Sequence, residues 1–201
     1  MSSPPSAPLR IERATLDDVP ALVSLINEAY DVVERGDSGT KFKSTPRLLP
    51  GDVPRFAADV LAGVVLVARG AGDAALLGVI HTTVSAPSAP GAAPHAHFGP
   101  LAVSLSAQGR GVGRALIAAA EASAAAAGAS EMRIEVVDCR TDALPAYERA
   151  GYVACGVGDF PAPERCTRPV KFILMSKPLL VQGSRAPRTP WEAPTSPPPT
   201  A

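Results

Sequence analysis

The chain has 201 residues, 46% of them apolar, and its 19 acidic and 19 basic side chains cancel to a formal net charge of zero. That length suits one mid-sized domain with a substantial core, and the scattered, balanced charge leaves no electrostatic footprint for nucleic acid or an anionic membrane. No run is apolar and long enough to span a bilayer, and the opening MSSPPSAPLR lacks the basic and apolar regions of a secretory signal, so a cytoplasmic location is expected.

Residues 1–8 and 181–201 are rich in proline and poor in aliphatic side chains, with six prolines from Gly183 onward. Such segments cannot offset their ordering entropy by burial, so they are expected to be disordered tails around one domain over 9–180. Leu9, Ile11 and Arg13 alternate as a short strand, and Thr15 with Asp18 three residues on resembles a capping box. A helix follows with Leu22, Leu25, Ile26 and Ala29 on its apolar face, and the polar run Glu34 to Gly51 reads as a long loop. Asp52 is placed to cap a second helix through Leu61 that stops at Gly63. Val64 to Ala68 and Leu76 to Val84 read as a hairpin around Gly70-Ala-Gly-Asp73.

Beyond the Pro/Ala linker Ala86 to Pro94, His95 to Val103 is another strand, with a bulge expected at Gly99-Pro100. Gly111 to Ala127 is an Ala-rich helix closed by Gly128, and Met132 to Val137 is the next strand. Asp142 opens a short helix with Pro145 in its first turn and Gly151 at its end; Tyr152 to Val157 and Val170 to Ser176 complete the strands. Only the strand-helix-strand unit around residue 111 demands a parallel pair. The predicted class is α+β: a mixed, mostly antiparallel central sheet with a parallel strand-helix-strand core and helices on both faces.

Cys139, Cys155 and Cys166 are too few and too widely spaced for a disulfide framework or a C-x-x-C metal site. Reduced thiols and no metal are expected.

The informative segment is His97-Phe-Gly-Pro-Leu-Ala-Val-Ser-Leu-Ser-Ala-Gln-Gly-Arg-Gly-Val-Gly-Arg114: a strand, a glycine-dense turn and a helix start. Free N–H groups of a first helical turn and the turn before it converge on one spot, the helix dipole favours an anion there, and Gly109, Gly111 and Gly113 let the backbone come close. Arg110 and Arg114 can add charge-assisted contacts. A P-loop needs a Lys that does not follow Gly113, and a dinucleotide fingerprint needs a third glycine where Leu116 stands, although Glu135 imitates its ribose-binding acid. A turn whose glycines only permit close helix packing is the bland alternative.

Gln108-x-x-Gly111-x-Gly113 after an apolar strand resembles the pyrophosphate-binding motif of the Gcn5-related N-acetyltransferase (GNAT) family. Gly99-Pro-Leu-Ala-Val103 looks like that family's fourth strand, and Ala143-Leu-Pro-Ala-Tyr-Glu-Arg-Ala-Gly-Tyr152 like its second recurring motif. The similarity covers about residues 9 to 178 and implies the acyl-CoA N-acyltransferase fold. It also implies acetyl-CoA as co-substrate, with Leu101, Ala102 and Val103 pairing with the pantetheine arm and Gln108, Gly109, Arg110, Gly111, Val112, Gly113 and Arg114 holding the pyrophosphate. The implied activity is transfer of acetyl to a primary amine by direct attack in a ternary complex. The closing Arg168-Pro-Val-Lys-Phe-Ile-Leu-Met-Ser-Lys-Pro178 is similar to small-molecule or uncharacterised members. A small-molecule amine acceptor, no nucleic-acid or membrane partner, and a monomer or homodimer are expected.

Such a reaction needs an acid for the departing thiolate and a base for the amine. Tyr147 matches the family position that often protonates the sulfur, and a phenol stays protonated at neutral pH. His95 and His97 share one face of a strand, and His97 stands where related sequences often carry a proton-relaying Glu; it is the expected base, ahead of His81, Glu28 or no dedicated side chain. Lys41, Lys43, Arg47 and Arg55 lend a basic bias to the loop and helix where the family builds its acceptor pocket, pointing to an acceptor with a carboxylate or phosphate. Arg140 replaces an Asn that many members carry before the second motif. The alternative from another class is a non-catalytic acyl-CoA sensor, or a scaffold that uses the Pro-rich tail.

Overall fold

The computed structural model describes residues 9–35, 41–70, 75–87 and 92–180. The expected tails, the hairpin tip at 71–74 and the middle of the Pro/Ala linker lie outside them, as does 36–40 of the long loop.

Strand β1 (Arg10–Arg13) leads into Thr15, whose backbone N–H donates to Asp18 Oδ2 at 2.9 Å, so the expected capping box is present. Helix α1 (Val19–Glu34) follows. It buries Leu22, Leu25 and Ile26, with Leu22 and Ile26 fully enclosed, each contributing about 1.5–3 kcal/mol by removal from water. The helix runs to Glu34, further than the loop expected from that residue onward. Its last carbonyl is satisfied by the returning chain: Phe42 N and Lys43 N both donate to Glu34 O, at 3.0 and 3.1 Å. Asp52 caps one turn earlier than expected. Its Oδ2 accepts from Leu49 N at 2.8 Å, ahead of helix α2 (Val53–Leu61).

Strands β2 (Val65–Arg69), β3 (Leu76–Ser85) and β4 (His95–Val103) form an antiparallel meander. Helix α3 (Val112–Ala126) crosses to β5 (Glu131–Val137), which pairs parallel to β4. Helix α4 (Leu144–Arg149) precedes β6 (Val153–Asp159) and β7 (Lys171–Pro178). Asp142 does not cap α4, which starts two residues later, because its carboxylate is engaged by Arg140. The sheet order is β1-β2-β3-β4-β5-β7-β6, with β4–β5 its parallel pair and the others antiparallel. This is the expected mixed α+β sheet.

Two apolar layers cover its faces. Val65, Val67, Val79 and Ala102 pack with α1 and α2, while Ala96, Met132, Ile134 and Val136 pack with Leu116, Ala120 and Ala124 of α3. Gly78 permits the second layer to close: a Cβ there would stand 2.9 Å from both Ala102 O and Leu116 Cδ1. Small size at β3 therefore sets how near the first turn of α3 lies to β4.

Candidate active site

Strand β4 keeps β5 as its neighbour for three register pairs, His95↔Glu131, Ala96↔Met132 and His97↔Arg133. Its other edge stays on β3 to the end, through Leu101↔Ile80, Ala102↔Val79 and Val103↔Gly78. Between Ile80 and Thr82 the pairing shifts, so that His81 stands opposite two residues, Gly99 and Pro100. This is the bulge expected from the sequence. It bends the second half of β4 away from β5, and a cavity of about 430 Å³ opens between the strands. Leu101, Ala102 and Val103 line one wall, Ile134 to Val137 the other. Backbone groups on the freed edge of β4 thus face a cavity and lack a neighbouring strand.

At the end of β4 a short turn leads to α3. Gly109 and Gly111 sit at φ of +73° and +82°, which favours glycine strongly, and a Cβ at either position would meet nothing within 4 Å. Ala115 N is the first amide to bond back into the helix start, to Gly111 O at 3.0 Å. The amides of Val112, Gly113 and Arg114 precede any intrahelical acceptor and form the positive end of the helix. Gln108, Gly109, Arg110, Gly111 and Arg114 are exposed around this turn. Two residues have narrower scope than the sequence suggested. The Val112 side chain is buried in the core, so only its backbone is free to contact a ligand, and Gln108 Nε2 donates to Val103 O at 3.3 Å. The open cradle, free amides and two exposed guanidiniums fit a diphosphate.

Tyr147 reaches the cavity from α4. It sits in an aromatic triangle with Phe98 and Tyr152, with centroids 5.9–6.2 Å apart. Burial, then the neighbouring Tyr30, pushes its phenol well above the ordinary value, with Arg140 and Arg47 opposing. It is a held proton. Tyr152 lies outside the cavity lining and spends its hydroxyl on Glu121, which Lys177 also engages at 2.6 Å.

Of the basic candidates, His97 lines the cavity; His95, His81 and Glu28 do not, and Glu28 faces a separate depression beside Ser24 and Arg69. His97 Nε2 is buried with no hydrogen-bond partner. Burial, reinforced by His81, Arg47 and His95, pulls its imidazole down to about 4, so the ring is neutral at physiological pH. Two residues along the facing strand from Arg133, its register partner, Glu135 lines the same cavity. Burial raises the Glu135 carboxyl above its usual range, with Arg47 pulling the other way. The sequence alone marks Glu135 only as an imitation of a ribose-binding acid. Its place opposite Met132 and Ile134 in the β5 alternation marked the face it would take, but not that this face borders a cleft.

Of the four loop and helix cations, Arg47 alone lines the cavity, close to Tyr30 of α1. Lys41 and Arg55 are exposed, and Lys43 is buried against Glu34. Arg140 lines the cavity too, but both arms of its fork are on Asp142, at 2.9 and 3.1 Å. Cys139, Cys155 and Cys166 form no disulfide among the described residues. Among the described residues no group of His, Cys, Asp and Glu is arranged to hold a metal, and no helix is long and apolar enough to cross a membrane.

A family model described as acetyltransferase (GNAT) family matches residues 46–152, over half of the chain, from the end of the long loop through α4. The chain belongs to the GNAT acetyltransferase family. It is thereby an acyltransferase of the acetyl-CoA-dependent N-acetyltransferase class. Solved structures share the fold across most of the molecule. The ribosomal-protein-S18-alanine N-acetyltransferase from Escherichia coli is 18% identical, with 90% of this chain and 100% of that one covered and a TM-score of 0.62. A mosquito arylalkylamine N-acetyltransferase like 5b is 15% identical over 86% and 100%, with a TM-score of 0.66. Chaetomium thermophilum Naa20, in complex with a bisubstrate analogue, is 21% identical over 85% and 86%, at 0.63. No curated protein sequence matches the chain. GNAT neighbours thus include protein and small-amine acetyltransferases, and this likeness establishes the shared fold.

Proposed function

We propose that this GNAT protein moves the acetyl group of acetyl-CoA to a primary amine of a small molecule, by direct attack within a ternary complex. The observation that carries this reading is the cavity between β4 and β5, which is bordered by Leu101–Val103, Tyr147, His97 and Glu135 at once. The domain responsible is taken as residues 9–180, acting in the cytoplasm.

In this reading the amides of Gly109 to Arg114, with the Arg110 and Arg114 guanidiniums, hold the pyrophosphate, and the free edge of Leu101 to Val103 holds the pantetheine arm. A main-chain N–H on that edge steadies the negative charge that develops on the thioester oxygen. His97 receives a hydrogen bond from the amine and accepts its proton as nitrogen attacks the carbonyl carbon. An imidazole so weakly basic does not retain that proton. Glu135, whose buried carboxyl is held above its usual range, takes it onward. As the carbon–sulfur bond breaks, the electron pair leaves with sulfur and Tyr147 Oη–H supplies the proton that makes the free thiol. Arg47 and Arg140 lie near enough to temper the phenolate that forms, since both lower the Tyr147 pKa.

Release of free thiol from acetyl-CoA, followed across a panel of amines, tests the proposal. Turnover of small primary amines is expected. Tight acetyl-CoA binding with no amine turned over anywhere in the panel would replace it with the sensor reading.

A further inference from the structure

Arg47 lies near the end of the long loop and lines the cleft, and its surroundings hold its charge loosely and leave its donors without a hydrogen bond. Glu34 Oε1 stands 3.6 Å from Nη1, beyond hydrogen-bond length. The Tyr30 ring supports the guanidinium carbon from one side, 4.9 Å from the centroid. Among the described residues, Arg47 makes no hydrogen bond. Glu34 shares its single charge between Arg47, through Oε1, and Lys43, whose Nζ stands 3.3 Å from Oε2. Within the Glu34, Lys43 and Arg47 cluster one buried carboxylate faces two cations, and Arg47 is the cation that reaches the cavity, where Glu135 is the carboxyl on the facing strand. Lys43 cannot take that part, with its side chain 3% exposed against 29% for Arg47. Arg140 is already spent on Asp142.

A guanidinium anchored from behind and below, with its outer fork free, matches the planar two-oxygen geometry of a carboxylate. Arg47 lines the same cavity as His97 and Glu135, so an anion seated on Arg47 lies in the cleft where the amine must be deprotonated. We propose that Arg47 seats a carboxylate carried by the acceptor, so that the preferred substrates are amino-acid-like molecules holding a primary amine and a carboxylate together. The inference rests on the acetyl-transfer reading for the amine half, and on Arg47 alone for the anion half.

The test compares kcat/KM for matched pairs, an amino acid and its amide, together with an amine phosphate and a polyamine, in the wild type, Arg47→Gln and Arg47→Lys. Wild type is expected to favour the carboxylate over the amide by about tenfold or more, the scale of a charge-assisted bond. Arg47→Gln brings that ratio close to one, and Arg47→Lys keeps part of it. A ratio that survives in Arg47→Gln, or a wild-type preference for amides, polyamines or the amine phosphate, overturns the assignment. A binding arm separates this failure from failure of acetyl transfer: calorimetry with N-acetylalanine and N-acetylalaninamide, in the presence of coenzyme A. If no amine is turned over but binding prefers the acid in an Arg47-dependent way, the anion seat stands and the transfer reading falls. Equal binding of acid and amide in the wild type overturns the seat.

Discussion

The Tyr152 hydroxyl donates to Glu121 Oε1 at 2.8 Å, and this bond divides the labour between two tyrosines that sit 6.2 Å apart, centroid to centroid. Tyr152 ties the end of the second motif to α3, while Tyr147 lines the cavity. Tyr147→Phe is expected to lower kcat by about a hundredfold, the scale of a general acid, with coenzyme A affinity little changed. Tyr152→Phe should instead cost about 1 kcal/mol of stability, from one lost hydrogen bond and a carboxylate left to Lys177. Thiol-release kinetics and urea unfolding of both variants decide the matter; equal kcat in Tyr147→Phe and wild type removes that residue from the chemistry.

Gly111 at φ +82° opens onto free space, so a side chain there costs backbone strain of about 1–2 kcal/mol yet clashes with nothing. Gly111→Glu adds a negative charge where the helix start and Arg110 favour an anion. Coenzyme A binding, measured by calorimetry, is expected to vanish in Gly111→Glu and to weaken far less in Gly111→Ala, which carries the strain without the charge. Matching affinities for the two variants would place the pyrophosphate elsewhere.

Gly78 behaves in the opposite way. Its missing Cβ would stand 2.9 Å from a backbone oxygen and from Leu116 Cδ1, so Gly78→Ala must push the first turn of α3 outward. A loss of about 1–3 kcal/mol in urea unfolding is expected, as for other overpacked cores, together with weaker coenzyme A binding. Full stability in this variant would show that the layer gives way freely.

His97 supplies a pH dependence whose sign follows from its shift. The folded imidazole titrates at about 4, below the ordinary 6.5, so between those values the unfolded chain binds more protons than the folded one. Stability at this site therefore rises with pH through that window and is lost as pH falls toward 4, by at most roughly 3 kcal/mol. His97→Gln should flatten that part of the stability profile. For turnover, the acid limb of kcat/KM should follow Glu135: it lies above the usual carboxylate range, persists in His97→Gln at a reduced rate, and disappears in Glu135→Gln. A limb that vanishes with His97 and survives without Glu135 would return the base role to the imidazole alone.

Lys43 and Glu34 are both buried, and such pairs are costly to break singly. Lys43→Met is expected to destabilise by about 3–5 kcal/mol, with Glu34→Gln added to it restoring much of the loss. Thermal unfolding of the single and double variants measures the coupling.

Local rules made most of the fold legible. The Thr15–Asp18 box, the apolar stripe from Leu22 to Ala29, the Gly99-Pro100 bulge and the glycine turn before α3 each announce themselves through spacing or backbone need. The acceptor side of the cleft was harder to read because it is built from distant parts. Tyr30 extends the stripe of α1 and passes for core, Glu135 takes an alternate place on a strand that would suit solvent, and Arg47 sits in a polar loop. Nothing local brings these three to one wall. Their meeting depends on how the loop returns, where Lys43 docks on Glu34 and Arg165 donates to Pro46 O at 2.9 Å. The choice among His95, His97 and His81 was similarly beyond periodicity, since the bulge decides which imidazole the cavity reaches.

Because β4 and β5 share only three register pairs, the two halves of the sheet are stitched at one end and gape at the other. Substrates that enter the gap act as the missing stitches. Occupancy should thus be mechanical as well as chemical: amide hydrogens of Leu101 to Val103 and of Ile134 to Val137 exchange more slowly once the gap is filled, and the two halves melt as one body.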